Sequence, residues 1–151
     1  MPFDRLIRAA DQWARDHMQH DIFAQIGGGS YQPEYMRWTR MLLPSEFRET
    51  VRDASLMVAH GGMGSFFAAM EMRKPIILMP RFAANREHTT DHQVHTVRWL
   101  REKPGVYVAM SDDELPPVID KALNEKGSRL DNFCKVAPQP FLMKIRQFLL
   151  N

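Results

Sequence analysis

The segment Leu56-Met57-Val58-Ala59-His60-Gly61-Gly62-Met63-Gly64-Ser65 runs four apolar residues into a glycine-rich turn and then a helix start. That order suits phosphate. Glycines let a ligand approach the backbone, and free N–H groups at a helix start, with the helix dipole, attract an anion. Ser65 adds a hydroxyl donor, and His60 stands between strand and turn. A tight turn whose glycines serve only packing gives the same pattern, so Gly61, Gly62 and Gly64 alone leave both readings open. In open parallel sheets, ligands lie beyond the carboxyl ends of the strands, where this turn would fall.

A second segment, Lys74-Pro75-Ile76-Ile77-Leu78-Met79-Pro80, ends an apolar run on a proline. The loop at 81–88 follows, with Arg81, Arg86, Glu87 and His88. Asp91, His92 and Gln93 then stand in a row at a helix start. Carboxylate and carboxamide groups both hydrogen-bond to sugar hydroxyls, so this trio suits a polyhydroxylated ligand. A solvated helix start with Asp91 facing the dipole is the plainer alternative. His88, His92 and His95 have helical spacing, but the surrounding residue types do not favour a metal, and none is expected. A third glycine loop, Gly27-Gly28-Gly29-Ser30, closes the run Ile22–Ile26.

The elements that must position these residues are legible from periodicity. Phe3, Leu6, Ile7, Ala10, Trp13 and Ala14 form one apolar stripe, which predicts a helix over 3–18. Ile22–Ile26 is predicted as a buried strand, and a second strand falls within Tyr35–Leu43. A helix is predicted from Pro44-Ser45-Glu46 to about Asp53, with Ser45 as its N-cap. Leu56–Ala59, Ile76–Met79 and Val106–Ala109 are strands. Helices follow at Gly64–Met72, from Thr89 or Thr90 to Leu100, and from the capping-box pattern Ser111-Asp112-Asp113-Glu114 to about Asn124. Residues 125–140 are predicted as loop and Phe141–Leu150 as a terminal helix. Alternating strands and helices argue for one α/β domain over 1–151, with a parallel sheet covered on both faces.

Composition narrows the class. The chain has 151 residues, 44% of them apolar and 25% charged, as a folded domain of ordinary size has. Twenty Lys and Arg against 18 Asp and Glu give a formal charge of +2, with the basic residues dispersed. Nucleic-acid binding is therefore not expected. The one cysteine, Cys134, excludes an intrachain disulfide and a multi-cysteine metal site. No window reaches the roughly 20 apolar residues of a membrane helix. A cytoplasmic protein is expected, peripheral to the inner face of the membrane only through a partner. The methionines fall mostly on apolar faces and read as core filling. Met63 and Met79 flank the proposed cleft. Trp13, Trp38 and Trp99 read as core or interface residues.

Taken in order, His60-Gly61-Gly62-x-Gly64-Ser65, Lys74-Pro75-Ile76-Ile77-x-x-Pro80 and Asp91-His92-Gln93 resemble the C-terminal domain of glycosyltransferase family 28. The longer form, Met79-Pro80-Arg81 through Glu87-His88-x-x-Asp91-His92-Gln93, resembles short bacterial exopolysaccharide glycosyltransferase subunits, as do Pro2-Phe3-Asp4-Arg5-Leu6 and Phe23-Ala24-Gln25-Ile26-Gly27. The resemblance covers about residues 2–110. It implies a Rossmann-like GT-B donor domain. Gly61, Gly62, Gly64 and Ser65 would receive the diphosphate of a UDP-sugar. Asp91, His92 and Gln93 would meet its sugar, with Arg81, Glu87 and His88 alongside. Gly27, Gly28 and Ser30 would line the cleft edge. No cofactor is implied beyond the UDP-sugar donor itself.

The sequence departs from the family in two places. Relatives carry a strand and a Gly-Thr loop ahead of the Pro-Phe-Asp-Arg segment, so a sheet lacking its first strand is expected. Many relatives also place Glu three residues after Ser65, where this sequence has Ala68. Glu71, one turn on, is not given that role. The implied activity is hexosyl transfer to a lipid-linked acceptor in polysaccharide synthesis. A membrane-associated acceptor-domain subunit is expected as partner, because a two-domain GT-B enzyme needs about twice this length at ~100–200 residues per domain. A homo-oligomer is also allowed. A structural role for His60 is expected ahead of general base. The alternative reading is a non-catalytic nucleotide-binding or regulatory module on the same scaffold.

Overall fold

The computed structural model describes residues 1–125. Nearly all of the loop read at 125–140, the terminal helix at Phe141–Leu150 and Cys134 lie outside the described residues. In chain order the elements are α1 (Asp4–Asp16), β1 (Phe23–Gln25), β2 (Arg37–Thr39), α2 (Pro44–Asp53), β3 (Met57–His60), α3 (Met63–Glu71), β4 (Ile76–Met79), α4 (His92–Leu100), β5 (Val106–Val108) and α5 (Leu115–Asn124). Every pairing is parallel. β1 pairs with β2, and β3, β4 and β5 pair in that order, with His60 opposite Met79 and Ile77 opposite Tyr107.

β4 is the centre of the domain. All four of its side chains are fully buried, and they alternate between two cores, as the two-residue period of a strand requires. Ile77 and Met79 join the helices α1 and α5 through Leu6, Ile7, Trp13, Leu115 and Ile119. Ile76 and Leu78 join α3 and α4 through Phe66, Ala69, Val97 and Leu100. Each such side chain contributes about 1.5–3 kcal/mol relative to leaving it in water. Met79, read from the sequence as flanking a cleft, is thereby core. On the α1 side, the Trp13 indole Nε1–H donates to Asp120 Oδ1 at 2.8 Å and ties α1 to α5.

The expected α/β architecture, parallel strands with helices on both faces, is observed. The strands form two ladders instead of one, and among the described residues no bond joins β1 to β3. The strands read as buried at Ile22–Ile26 and Leu56–Ala59 are corrected on the same ground. β3 is as apolar as an interior strand, yet it lies at the edge of its ladder and all four of its residues stay half-buried. β1 is also only partly covered, with Gln25 exposed.

Three helix starts differ from expectation by a few residues, each for a local reason. α2 begins on Pro44, whose missing N–H and fixed φ suit the first helical position. Leu43, not Ser45, is therefore the cap, and its amide donates to Glu46 Oε2 at 2.8 Å. α4 begins at His92 behind Asp91. Thr89 belongs to the preceding turn, where its amide donates to His88 Nδ1 at 2.9 Å, so neither threonine caps. At α5 the Glu114 carboxylate reaches back to the Met110 amide at 2.7 Å, so Ser111–Asp113 form a turn ahead of the helix. Among the described residues no helix is long and apolar enough to cross a membrane.

Candidate functional site

The carboxyl ends of β1, β3 and β4 carry the residues singled out by type and spacing. At β3 the chain passes from His60 through Gly61 and Gly62 into α3. The first two glycine amides are occupied inside the chain: Gly61 N–H donates to Met79 O at 2.9 Å and Gly62 N–H to His60 O at 2.7 Å. Intrahelical bonding begins only at Phe66, whose amide donates to Gly62 O. No side chain caps α3. The amides of Met63, Gly64 and Ser65 are thus left without a partner among the described residues. Of the amides at 61–65, those of residues 63–65 are therefore the ones open to a further acceptor among the described residues.

The four glycine positions separate into two kinds. A Cβ at Gly61 would sit 2.6 Å from Val97 Cγ1 and 3.3 Å from the Gln93 carbonyl, so close packing on α4 explains this glycine. A Cβ at Gly62 would run into the His60 ring. Gly64 and Gly28 face open space, with nothing among the described residues within 4 Å of an added Cβ. Gly27 has φ of +59°, the left-handed conformation in which glycine is favoured. Ser30, also at this rim, is engaged internally: its amide and hydroxyl both donate to Asp4 Oδ2, at 3.0 and 2.7 Å.

The loop after β4 is anchored by an ion pair that the sequence does not reveal. Glu87 is buried, and both its oxygens are used. Arg5 Nε reaches Oε1 at 2.9 Å and Arg5 Nη2 reaches Oε2 at 3.0 Å, while the Phe82 amide donates to Oε2 at 3.0 Å. Arg5 also donates to Pro80 O at 3.0 Å. Glu87 therefore holds the loop, and its carboxylate is not left to a ligand. Gln93 is buried as well, and its Oε1 accepts from the Arg81 amide at 3.1 Å. Asp91 is exposed and accepts from the Ala83 amide at 2.7 Å. His92 Nδ1 lies 2.8 Å from Thr90 Oγ1, and the rings of His88 and His92 meet edge-on at 4.6 Å. Asp91, His92 and Gln93 thus share one helix start, but only part of each is free. No group of three or more His, Cys, Asp or Glu is placed to hold a metal among the described residues.

Three enclosed side-chain atoms lack hydrogen-bond partners among the described residues: Asp4 Oδ1, His60 Nδ1 and Arg81 Nε. All three lie at the strand-end side, beside Gly29, Gly62 and Pro80. Unpaired buried polar atoms cost about 1–3 kcal/mol each and are uncommon.

Most of the chain that carries this rim matches one family model. The family model of the glycosyltransferase family 28 C-terminal domain covers residues 1–133. The chain belongs to that family. It is a glycosyltransferase domain of the donor-binding kind. No curated protein matches it. A cavity of about 430 Å³ opens elsewhere on this family 28 domain, between α1 and the start of α5. Its lining includes Arg5, Arg8, Gln12 and Asp113, and none of the residues singled out as donor contacts.

Burial, then the charges of Arg81 and His88, hold the His60 imidazole below its ordinary pKa of 6.5. The folded state then binds this proton less readily than the unfolded chain does. Stability contributed by neutral His60 is present above about pH 6.5 and is lost as pH falls through and below that value. Urea titrations of wild type and His60→Gln between pH 5 and pH 8 check this; the variant should have the flatter acid limb.

Proposed function

We propose that the chain is the donor-binding subunit of a UDP-sugar-dependent hexosyltransferase that extends a lipid-linked acceptor in polysaccharide synthesis. The observation that carries this reading is the trio of open amides at residues 63–65, at the start of a helix in a family 28 domain. The diphosphate would rest there, with the Ser65 hydroxyl beside it and the sugar towards Asp91, His92 and Gln93. An acceptor hydroxyl attacks the anomeric carbon, the bond from that carbon to the diphosphate breaks, and UDP leaves. Electrostatic support for the departing charge is the contribution expected from this side.

The hydroxyl proton needs a base, and that group is assigned to a membrane-associated partner carrying the acceptor domain. Peripheral attachment to the inner membrane face would follow from that partner. Half-exposed, apolar β3, at a ladder edge that no other strand pairs among the described residues, supports the assignment, since such edges are usually covered. The purified chain should bind UDP more tightly than uridine by calorimetry, yet transfer sugar slowly or not at all. Robust transfer by the chain alone refutes the partner. Absence of UDP binding up to millimolar concentration favours a non-catalytic regulatory module, a reading supported by the internally used amides of Gly61 and Gly62 and by Ala68.

Gly64 gives a sharper test. Its site has room for a methyl group, and alanine is the better helix residue, so Gly64→Ala should stabilise the fold by about 0.5–1 kcal/mol. The same methyl group would stand where a diphosphate meets the backbone. UDP affinity should fall roughly 10- to 100-fold, the worth of one hydrogen bond to a charged group. Thermal melts and calorimetry on one sample read both signs. Unchanged affinity in a stabilised variant removes the helix start from the site.

A further inference from the structure

We infer that Arg81 is the side chain that faces the donor's diphosphate, held without an ion-pair partner among the described residues so that its charge meets the ligand. The inference rests on the donor-site reading above and adds the cation to it.

Two arginines flank one carboxylate here, and they are treated unequally. Arg5 takes both oxygens of Glu87. Among the described residues the Arg81 guanidinium donates only to the Glu87 backbone carbonyl, from Nη1 at a long 3.4 Å, and its Nε is enclosed with no acceptor. No carboxylate lies within ion-pair distance of Arg81 among those residues. Its guanidinium stacks over the Phe3 ring with its carbon 5.0 Å from the centroid, an arrangement that orients a cation without neutralising it. The backbone is fixed too, by the Gln93 amide oxygen on its N–H. This is a pre-aimed arginine, not a loose surface one.

The Glu87 carboxylate nearby is already engaged by Arg5, so it compensates Arg81 only in part. His60 ends the adjacent strand, opposite Met79, and its Nδ1 is likewise enclosed and unpartnered. Burial lowers the Arg81 pKa, with Glu87 opposing, the direction expected of a guanidinium short of compensation. A half-buried charge left unpaired is costly, and a phosphate oxygen pair matches the planar guanidinium fork. Among the described residues neither Asp91 nor Asp4 lies within ion-pair distance of Arg81; their contacts are with Ala83 and Ser30.

The test compares UDP with uridine, which lacks the anion. Arg81→Gln should lose about 10- to 100-fold in UDP affinity and leave uridine affinity unchanged, and Arg81→Lys should recover part of the loss. Equal losses for both ligands, or none for either, overturn the inference. A wild-type protein that binds UDP no better than uridine instead overturns the donor-site reading itself. If the glutamine variant does not fold, the unaltered protein decides: the Arg81 Nε–H resonance should shift on adding UDP or inorganic pyrophosphate and stay put with uridine. A resonance indifferent to all three discards the role.

Discussion

Glu87→Ala should destabilise the domain by about 3–5 kcal/mol, the cost of leaving a buried charge without its partner. Against a total stability of about 5–15 kcal/mol, that is enough to unfold much of the population near physiological temperature. The size follows from how many groups one carboxylate serves. Arg5, with only 17% of its side chain exposed, would keep its charge and lose both short contacts. The Phe82 amide would lose its acceptor as well. Glu87→Gln retains one carbonyl oxygen and should fall between the alanine variant and wild type. Removing both partners, as in Arg5→Met with Glu87→Leu, should cost less than Glu87→Ala alone, because no charge is then stranded. Urea denaturation of the four proteins checks the order, and a loss below about 1 kcal/mol for Glu87→Ala would mean that solvent already screens the pair. In the variants that still fold, the loop at 81–88 should loosen and Arg81 with it, so UDP affinity should track the integrity of this ion pair.

The same ion pair marks where sequence reading stops. The central strand was legible because Ile76–Met79 is apolar at every position, the signature of a strand buried on both faces. The flanking helices were legible from their stripes. The Pro-Phe-Asp-Arg and Glu-His segments were each recognisable, yet nothing local says that Arg5 and Glu87, 82 residues apart, meet. Glu87 looked like a ligand contact because a carboxylate in a polar loop resembles one until its partner is seen. The glycine turn was legible only as a unit. Separating Gly61, fixed by Val97, from Gly64, where an added methyl group would meet nothing among the described residues, requires knowing where α4 lies. The same holds for the amides: spacing marks a helix start, but the ladder decides that Gly61 N–H goes to Met79, and the uncapped first turn of α3 leaves residues 63–65 open among the described residues. Helix caps moved by one to three residues because prolines and neighbouring loops compete with Ser and Thr for the role.

Asp11→Ala should cost about 3 kcal/mol or more, although the sequence gives Asp11 no role. The residue lies in the apolar stripe of α1, between Ile7 and Ala14, and is buried. An acid at such a position implies local donors, and three are present. Tyr31 Oη–H donates to Oδ2 at 2.7 Å, the Glu34 amide to Oδ2 at 2.9 Å, and the Tyr35 amide to Oδ1 at 2.9 Å. One carboxylate thus fastens the segment that follows the Gly27–Ser30 rim onto α1. Alanine leaves two backbone N–H groups and a phenol seeking partners, each worth about 1–3 kcal/mol if they stay dry. Tyr31→Phe removes only one donor and should cost about 1 kcal/mol. The hydrogen bond to Asp11, then burial and the Asp11 charge, push the Tyr31 hydroxyl up to about 12. A raised folded pKa means that the stability from this bond is complete below about pH 10 and is lost as pH rises through 12. Ultraviolet titration should therefore find Tyr31 ionising near pH 12 in wild type, and Asp11→Asn should bring it down. Freed from α1, the rim would sample conformations that Gly27 and Gly28 permit, and a ligand would have to order it again on binding. A folded Asp11→Asn protein should thus lose UDP affinity through slower association and a larger entropic cost. Retention of wild-type binding with a released Tyr31 would separate this rim from the donor site.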